Sequence, residues 1–471
     1  MTGPMPGGPA SPPAAAGEQQ PGPAAALAGQ LALCGGTVVT SLDPVQVTAA
    51  DVVIGGDRIA AVGAPRPGVP RRDCSGCLVL PGNVCAHHHL YSALARGMPY
   101  RLPPPRNFTE ILQRIWWRLD RALDEPSVRL SALVGGLAAL QAGTTTVIDH
   151  HASPNFIDGS LDVIAGALGE LGLRSVLCYE VTDRDGAAQA AAGVAENRRF
   201  LARPGTLARG MMGAHASFTL SKDTLAACQE TARAAGTGLH IHVAEDAADQ
   251  EDAKAAYGVP VVERLAAAGV LGPRALLAHC VHVSGREAAD IAAAGAAVAH
   301  NPRSNMNNRV GYSPLAHAGD RVALGTDGIG GDMITESQLG YFRATEAWPG
   351  TDPSWPLRRL AEGPRIAGQS FGEPRLGLIE PGAPADLIVL GYPQPTPLTA
   401  DNLAGHWVFG VSPPHVRDVI VAGELVIAGG RSTRLDDAEI AAQAAHETPR
   451  LWARLDEIPP HPFTPAGWPG T

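Results

Sequence analysis

The sequence has few lysines, few aromatic residues and little charge for its length. Only two lysines, Lys222 and Lys254, stand among the 36 Lys and Arg residues of this 471-residue chain. Charged residues make up 17% of the chain and aromatic residues 5%, and the formal net charge is −10. A negative net charge disfavours nucleic acid and anionic membranes as partners, because both are themselves negatively charged.

Long apolar runs and early positive charge are also missing. No uninterrupted apolar stretch reaches the roughly 18 residues that a membrane-spanning helix needs. The first basic residue is Arg58, whereas export signals need positive charge near the N-terminus. Seven scattered cysteines, an odd number, are typical of reduced thiols. The sequence therefore predicts a cytoplasmic protein, and the lone Cys74-Ser-Gly-Cys77 motif is interpreted as a coincidence.

The chain divides into segments that differ in composition and in predicted secondary structure. Residues 1–28 are mostly Pro, Ala and Gly, which predicts a disordered tail because little apolar surface is available for burial. Residues 29–80 and 376–435 both contain short strand patterns separated by turn residues, and we expect them to pair into one β-sandwich. Residues 436–471 predict a helix and a Pro-rich tail.

Residues 81–375 alternate short apolar strands with alanine-rich stretches of helical length. The strands are expected at 83–87, 144–149, 174–180, 211–214, 238–243, 275–279, 296–300 and 322–326. Eight strand–helix units predict a (β/α)8 barrel, whose active site is built at the C-terminal ends of its strands. The predicted fold is therefore α/β, a TIM-like barrel inserted into a small β-sandwich.

Three consecutive histidines, His87, His88 and His89, stand at the end of the first barrel strand. Side chains alternate between the faces of a strand, so His87 and His89 point one way and His88 the other. Two imidazoles on one face can bind a divalent metal, although a structural pair of buried histidines is a common alternative. Further titratable residues follow at later strand ends, namely His240, His242, Glu245, His279 and Asp327. Their order on successive strands favours one catalytic site.

With these residues the chain resembles the amidohydrolase superfamily, in its ATZ/TRZ-like branch of metal-dependent deaminases and chlorohydrolases. Within that branch it is most similar to the SsnA-type aminohydrolases. The resemblance is carried by residues 81–97, 115–120, 149–154 and 300–311, and it extends over about residues 31–435.

The resemblance implies one divalent metal ion per chain, zinc or alternatively Fe²⁺. Its implied ligands are His87, His89, His242 and Asp327. It further implies that Glu245 is the proton shuttle, that His279 helps to orient the hydroxide, and that Asp327 takes a proton from the water. His240 is expected to fix the orientation of a ligand.

The two lysines bear on the number of metal ions. Binuclear members of the superfamily bridge two metals with a carboxylated lysine at the end of the fourth strand. Lys222 lies seven residues beyond His215, where the next helix is expected to begin, and Lys254 lies in a later helix. Neither lysine is placed to bridge two ions, so the sequence predicts a single metal.

Several residues are candidates for contact with the substrate, each with a structural role as the alternative. The resemblance implies a contact from His215 after the fourth strand. His150 and His151 end the second strand, and we favour His151 although the register decides which of them faces the barrel mouth. Trp116 and Trp117 follow the first strand, where an aromatic ring can stack on a flat heterocycle; we favour Trp117.

Polar residues after the seventh strand are weaker candidates. Asn305, with Asn301 and Asn307 beside it, offers amide groups for ring nitrogens or for supporting the loop. Arg303 and Arg309 either bind an anionic group or lie in solvent, and the sequence leaves both interpretations open.

The predicted function is hydrolytic deamination of a nitrogen heterocycle, a purine-like base or a related aromatic amine. Hydrolytic opening of a cyclic amide or imidazolone ring and hydrolytic dechlorination are the alternatives, because the same site can serve all three reactions. A metal-binding scaffold without activity is disfavoured, since the ligands, Glu245 and His279 are all chemically competent. The expected partners are a small heterocyclic substrate and a second copy of the chain in a homodimer.

Overall fold

The computed structural model describes residues 29–65 and 67–467, together with Met1 and Gly3. Apart from these two positions, the tail predicted at residues 1–28 lies outside the described residues, as does the last part of the Pro-rich tail. Along the described residues, no helix combines the length and the apolar character that crossing a bilayer requires.

The N-terminal segment consists of short strands. They are β1 (Gln30–Cys34), β2 (Thr37–Leu42), β3 (Val45–Ala49), β4 (Val52–Gly55), β5 (Arg58–Val62), β6 (Arg71–Asp73) and β7 (Leu78–Pro81). The sequence pattern did not predict β3 or β6. The β6 sequence, Arg-Arg-Asp, contains no apolar residue, and β3 is a mostly exposed strand at the edge of its sheet.

The next strands are parallel and form the barrel. They are β8 (Asn83–His88), β9 (Thr144–His151), β10 (Arg174–Tyr179), β11 (Ala208–Gly210), β12 (Met212–Ala216), β13 (Leu239–Val243), β14 (Leu276–His279), β15 (Ala297–His300) and β16 (Val322–Leu324). They form two sheets, β11-β10-β9-β8 and β12-β13-β14-β15-β16. Single parallel bridges, Val181 with Ala214 and His88 with Asp327, join these sheets at both seams. Each of the eight predicted strands is present, with bounds within two residues of those expected.

Helices follow the barrel strands. They are α1 (Phe108–Ile111), α2 (Trp117–Ala122), α3 (Glu125–Gln141), α4 (Ser160–Leu171), α5 (Ala187–Leu201), α6 (Lys222–Ala235), α7 (Ala247–Tyr257), α8 (Val261–Ala267), α9 (Gly285–Ala293), α10 (Pro302–Asn308), α11 (Leu315–Ala318), α12 (Met333–Ala347) and α13 (Trp355–Phe371). A π-helical turn, Leu112–Trp116, joins α1 to α2. Residues 108–122 thus form one continuous helical segment after the first barrel strand, here called the roof segment.

The C-terminal segment returns to the β-sheets of the N-terminus. Its elements are β17 (Leu387–Leu390), α14 (Leu403–Phe409), β18 (Val416–Val421), β19 (Glu424–Ala428), β20 (Arg431–Ser432) and α15 (Asp437–Glu457). One sheet has the order β20-β19-β18-β17-β7-β2-β3 and the other has the order β5-β4-β1-β6. Because β17 pairs antiparallel with β7, strands from both ends of the chain share a sheet. The predicted fold class is confirmed, while the division into domains at the stated residues stays a prediction.

Candidate metal centre and active-site cleft

Four side chains at the C-terminal ends of β8, β13 and β16 converge on one point. Nε2 of His87 and Nε2 of His89 lie 3.3 Å and 3.0 Å from Oδ1 of Asp327. Nε2 of His242 lies 3.2 Å from Nε2 of His89. All three imidazoles are buried. The structure therefore brings together the four ligands that the resemblance implies.

The hydrogen bonds of two histidines decide which ring atoms face this point. Nδ1 of His89 donates to the carbonyl of His150 at 2.6 Å, and Nδ1 of His242 donates to the carbonyl of His215 at 2.9 Å. In its neutral form each of these rings keeps its one proton on Nδ1, so the two Nε2 atoms then offer lone pairs toward the same point. Two acceptors cannot form a hydrogen bond, and a cation between them relieves their repulsion. The donor set thus fits a divalent metal.

The protonation states of the converging histidines also favour a cation at this point. Burial lowers the pKa of His89, but the Asp327 carboxylate outweighs it and raises this pKa to about 9, so the surroundings favour a positive charge here, which either a proton on His89 or a metal ion beside neutral His89 supplies. Burial holds the pKa of His87 and of His242 well below the usual value, so these imidazoles are neutral, as metal ligands must be. Nδ1 of His87 lies 2.8 Å from Nε2 of His240, a contact that fixes the orientation of the His87 ring.

Glu245 and His279 lie beside the converging ligands. Oε2 of Glu245 is 3.5 Å from Nε2 of His279, and Nδ2 of Asn308 donates to Oε1 of Glu245 at 3.2 Å. Burial raises the pKa of Glu245 well above its ordinary value, and the Asp327 carboxylate adds to the rise. Glu245 can therefore hold a proton at neutral pH, which a general acid requires.

The backbone is strained where His279 and Asp327 leave their strands. Their φ angles are 71° and 53°, in the left-handed region that residues with a Cβ rarely adopt. Such strain persists only where the surroundings enforce it, and it clusters at functional sites. Here it accompanies two side chains whose donor atoms lie close to those of His87 and His242.

A cleft opens above these residues at the C-terminal ends of the strands. It encloses about 650 Å³, part of which is open to solvent. Its apolar lining, here called the aromatic wall, comprises Phe108, Leu112, Trp116, Trp117 and Phe218. Its lining also includes the acidic residues Glu180, Glu245, Asp246, Asp249 and Asp327. Among the described residues that line the cleft, there is no lysine or arginine.

The predicted substrate-contacting residues divide into two groups. His215 and Trp117 line the cleft, and their rings are in edge contact at a centroid distance of 6.0 Å. Asn305 lies behind the cleft, where its Oδ1 accepts from Nδ1 of His279 at 2.9 Å. His151 also lies away from the lining, with Nε2 2.8 Å from Oγ of Ser153. The structure thus brings the first two residues to the cleft and not the last two.

The two arginines considered as anion ligands and the two lysines considered as metal bridges all lie outside the lining of the cleft. Arg303 makes an ion pair with the buried Glu336 and donates to the carbonyl of Gly330 at 2.8 Å, so this guanidinium is already engaged. Arg309 caps α10 with a φ of 58°. Lys222 is the first residue of α6 and Lys254 lies in α7.

Sequence reasoning missed an ion-pair network beside the cleft. Glu180 follows β10 and lines the cleft, and its Oε2 lies 3.2 Å from Nδ1 of His150. Arg184 donates through Nη1 to Oε1 of Glu180 at 2.9 Å and also binds Asp120 of the roof segment. The guanidinium of Arg184 and the carboxylates of Glu180 and Asp120 are all buried. A glutamate at the end of the third strand was the available signal, but its partners are distant in sequence.

Comparison with known proteins gives consistent matches over most of the chain. Residues 78–426 match the family model described as "Amidohydrolase family". A 5-methylthioadenosine/S-adenosylhomocysteine deaminase of Moorella thermoacetica is 32% identical over 412 residues, which cover 83% of this chain and 93% of that protein. A 5'-deoxyadenosine deaminase of Methanopyrus kandleri is 29% identical over 379 residues, covering 77% of this chain and 84% of that protein.

Solved structures share the fold. An adenosine deaminase from Xanthomonas campestris with bound zinc superposes with a TM-score of 0.78 at 24% identity, covering 91% of this chain and 99% of that one. An atrazine chlorohydrolase from Arthrobacter aurescens TC1 complexed with zinc gives a TM-score of 0.75 at 23% identity, covering 89% and 100%. Together these matches confirm the resemblance to the amidohydrolase superfamily and its deaminase and chlorohydrolase branch. The narrower similarity to SsnA-type proteins stays a prediction.

Proposed function

The chain belongs to the amidohydrolase family, and we propose that it is a metal-dependent hydrolase that deaminates a neutral purine nucleoside or base. The observation that carries this proposal is the close approach of Nε2 of His89 to Nε2 of His242 and to Asp327, with Glu245 and His279 beside them. Relatives that are about 30% identical are deaminases of adenosine derivatives, which supports the purine.

One divalent metal completes the proposed site. Bound by His87, His89, His242 and Asp327, a zinc ion, or Fe²⁺ as the alternative, would lower the pKa of a water molecule toward neutrality. Zinc is the preferred ion because three neutral imidazoles and one carboxylate suit it.

The side chains of the chain perform the proton transfers. Asp327 accepts a proton from the attacking water, and Nε2 of His279, whose Nδ1 proton is donated to Asn305, accepts a hydrogen bond that orients the same water. Glu245 gives its proton to the ring nitrogen beside the amino-bearing carbon. The water oxygen bonds to that carbon, Asp327 passes its proton to the amino nitrogen, the bond from carbon to that nitrogen breaks and ammonia leaves, while the proton of the added hydroxyl returns to Glu245.

The side chains that line the cleft indicate the class of substrate. The rings of Phe108, Trp116, Trp117 and Phe218 offer flat apolar contact, which suits a heterocycle. The acidic residues of the lining disfavour phosphate groups, and the described lining offers no lysine or arginine that could bind one. We therefore propose an unphosphorylated substrate, such as adenosine or a 5'-modified adenosine, rather than a nucleotide.

Location and assembly are further proposals. All seven cysteines are free and buried, which supports a reducing compartment such as the cytoplasm. The expected homodimer rests on the resemblance alone and stays a prediction.

Ammonia release tests the proposed function. Zinc-loaded protein is incubated with adenine, adenosine, 5'-methylthioadenosine and AMP, with chelator-treated protein as the control. We expect ammonia from at least one unphosphorylated purine, none after chelation, and much slower release from AMP. A zinc-loaded protein that is silent on every purine but adds water to a cyclic amide would overturn deamination in favour of ring opening.

A further inference from the structure

We propose that residues 459–467, here called the C-terminal strap, position the aromatic wall of the cleft through His461 and Phe463. The strap follows α15 and lies beyond residues 78–426, the part of the chain that matches the family model. It contains no helix or strand, yet it lies against the roof segment. Neither His461 nor Phe463 is among the residues that line the cleft, so they are positioning residues rather than catalytic ones.

Hydrogen bonds fix the strap at both ends. The amide of His461 donates to the carbonyl of Gln113 at 2.9 Å, and Nε2 of Gln113 donates to the carbonyl of Phe463 at 2.8 Å. Further along, the amide of Ala466 donates to Oδ1 of Asp252 at 2.6 Å. The strap therefore bridges the roof segment, through Gln113, and α7, through Asp252. Such pairing distinguishes it from a tail that lies loosely on the surface.

Aromatic contacts join the strap to the cleft wall. The ring of Trp117 lies 5.3 Å from the ring of His461 and 5.8 Å from that of Phe463, in both cases edge to face. Phe463 also packs 6.3 Å from Phe218. Trp117 is only 2% exposed although it lines the cleft, and the two strap rings are among the groups that surround it. The strap thus sets the position of two of the aromatic side chains that would contact the substrate.

A second path runs through polar side chains. Nε2 of His461 lies 3.3 Å from Oδ1 of Asp185, whose Oδ2 lies 3.4 Å from Nε of Arg184. Arg184 in turn donates to Glu180 of the cleft at 2.9 Å. The strap therefore contacts the aromatic wall directly and is linked to Glu180 through two intervening residues, Asp185 and Arg184.

Hydrogen–deuterium exchange tests this inference without a substrate. The variants are Phe463→Ala and His461→Ala in the zinc-loaded full chain, and Phe342→Ala is the matched control, since Phe342 is an exposed aromatic residue of α12. We expect faster exchange in residues 108–122 of both strap variants, with zinc content and exchange in β8 and β13 unchanged. Exchange in residues 108–122 that equals that of the control would overturn the proposal.

Kinetics give a second test, which rests on the proposed function. An aromatic pair contributes about 0.5–1.5 kcal/mol, so Phe463→Ala should raise KM by roughly two- to ten-fold while kcat changes little. Phe463→Leu should recover most of the loss. In combination with Trp117→Leu, Phe463→Ala should add nothing, because both changes act on one contact. A fall in kcat at unchanged KM, or fully additive effects, would contradict positioning through Trp117.

The two tests separate the two proposals. If no purine is turned over, the proposed function fails, whereas the exchange measurement still decides whether the strap holds the roof segment.

Discussion

The floor of the cleft, formed by the proposed metal ligands, and its roof, formed by the aromatic rings of the roof segment and of Phe218, are built in different ways. The floor consists of short polar side chains at the ends of parallel strands, among them His89, His242 and Asp327, each held by a sheet that runs through the barrel. The roof consists of large aromatic rings, such as Trp117 and Phe218, on short helical segments above the barrel. Its backing includes a contact between Gln113 and Phe463, which are 350 residues apart.

This difference separates the chemistry of the site from its selectivity. A rigid floor keeps the ligands and proton carriers at fixed separations, and catalysis is sensitive to those separations. Under the proposed function, the roof contacts the part of the substrate that does not react. Changes in the floor should therefore stop the reaction, whereas changes in the roof should alter which heterocycle is bound and how tightly.

Replacing a floor ligand should have the largest effect. His242→Ala removes one of the four proposed metal ligands, and we expect loss of stoichiometric zinc and of all measurable turnover. Metal analysis and ammonia release measure the two effects, and His446→Ala on the exposed side of α15 is the control. A His242→Ala protein that retains zinc and full activity would show that the converging residues are structural.

Glu245→Gln should come next. The amide cannot carry the proton that the buried carboxyl holds, so kcat should fall by about 10²–10⁴-fold, the range typical of a general acid. Zinc content should not change, because Glu245 is not among the proposed ligands. Turnover equal to that of the unaltered enzyme would remove Glu245 from the mechanism.

A roof substitution should be milder and different in kind. Trp117→Leu removes one ring of the aromatic wall, and we expect KM to rise by roughly two- to ten-fold with kcat nearly constant. Steady-state kinetics on two purines of different size measure the change. If Trp117→Leu instead abolished zinc binding, the separation between floor and roof would be lost.

The smallest predicted effect concerns the attachment of α15, which carries the strap. Partial burial opposes ionisation of Asp124, but hydrogen bonds from Arg450 and Arg454 outweigh it and hold its pKa well below the usual value. A lowered pKa contributes stability that is present above about pH 4, the unfolded value, and is lost as the pH falls further. Asp124→Asn keeps a residue that can cap α3 and should cost about 0–1 kcal/mol.

Urea unfolding at several pH values checks this prediction. The difference in unfolding free energy between the unaltered protein and Asp124→Asn should be present at pH 7 and shrink in acid. A difference that grows as the pH falls would have the wrong sign.

The floor was predictable from the sequence, and the reason is local. Alternation along β8 places His87 and His89 on one face, and a parallel barrel brings every strand end to the same side. The eight strand–helix units of the barrel were recognisable for a similar reason, since strand and helix patterns repeat within short windows of sequence. The resemblance then assigned roles to residues that the pattern had only grouped.

The roof and its supports could not be predicted in the same way. Arg184 joins Glu180 to Asp120, and the strap meets the roof segment, only after the whole chain has folded. No periodicity connects such distant residues. His151 shows the same limit at short range, because the register of β9 turned it toward Ser153 instead of the cleft.

The most direct test of the central claim is the product formed from adenosine or a 5'-modified adenosine by the zinc-loaded enzyme in isotopically labelled water. We predict that the amino group is replaced by one labelled oxygen, that an equal amount of ammonia is released, and that both Glu245→Gln and chelation suppress the reaction. A product that gains a whole water molecule without releasing ammonia, or no product from a fully zinc-loaded enzyme, would contradict the account.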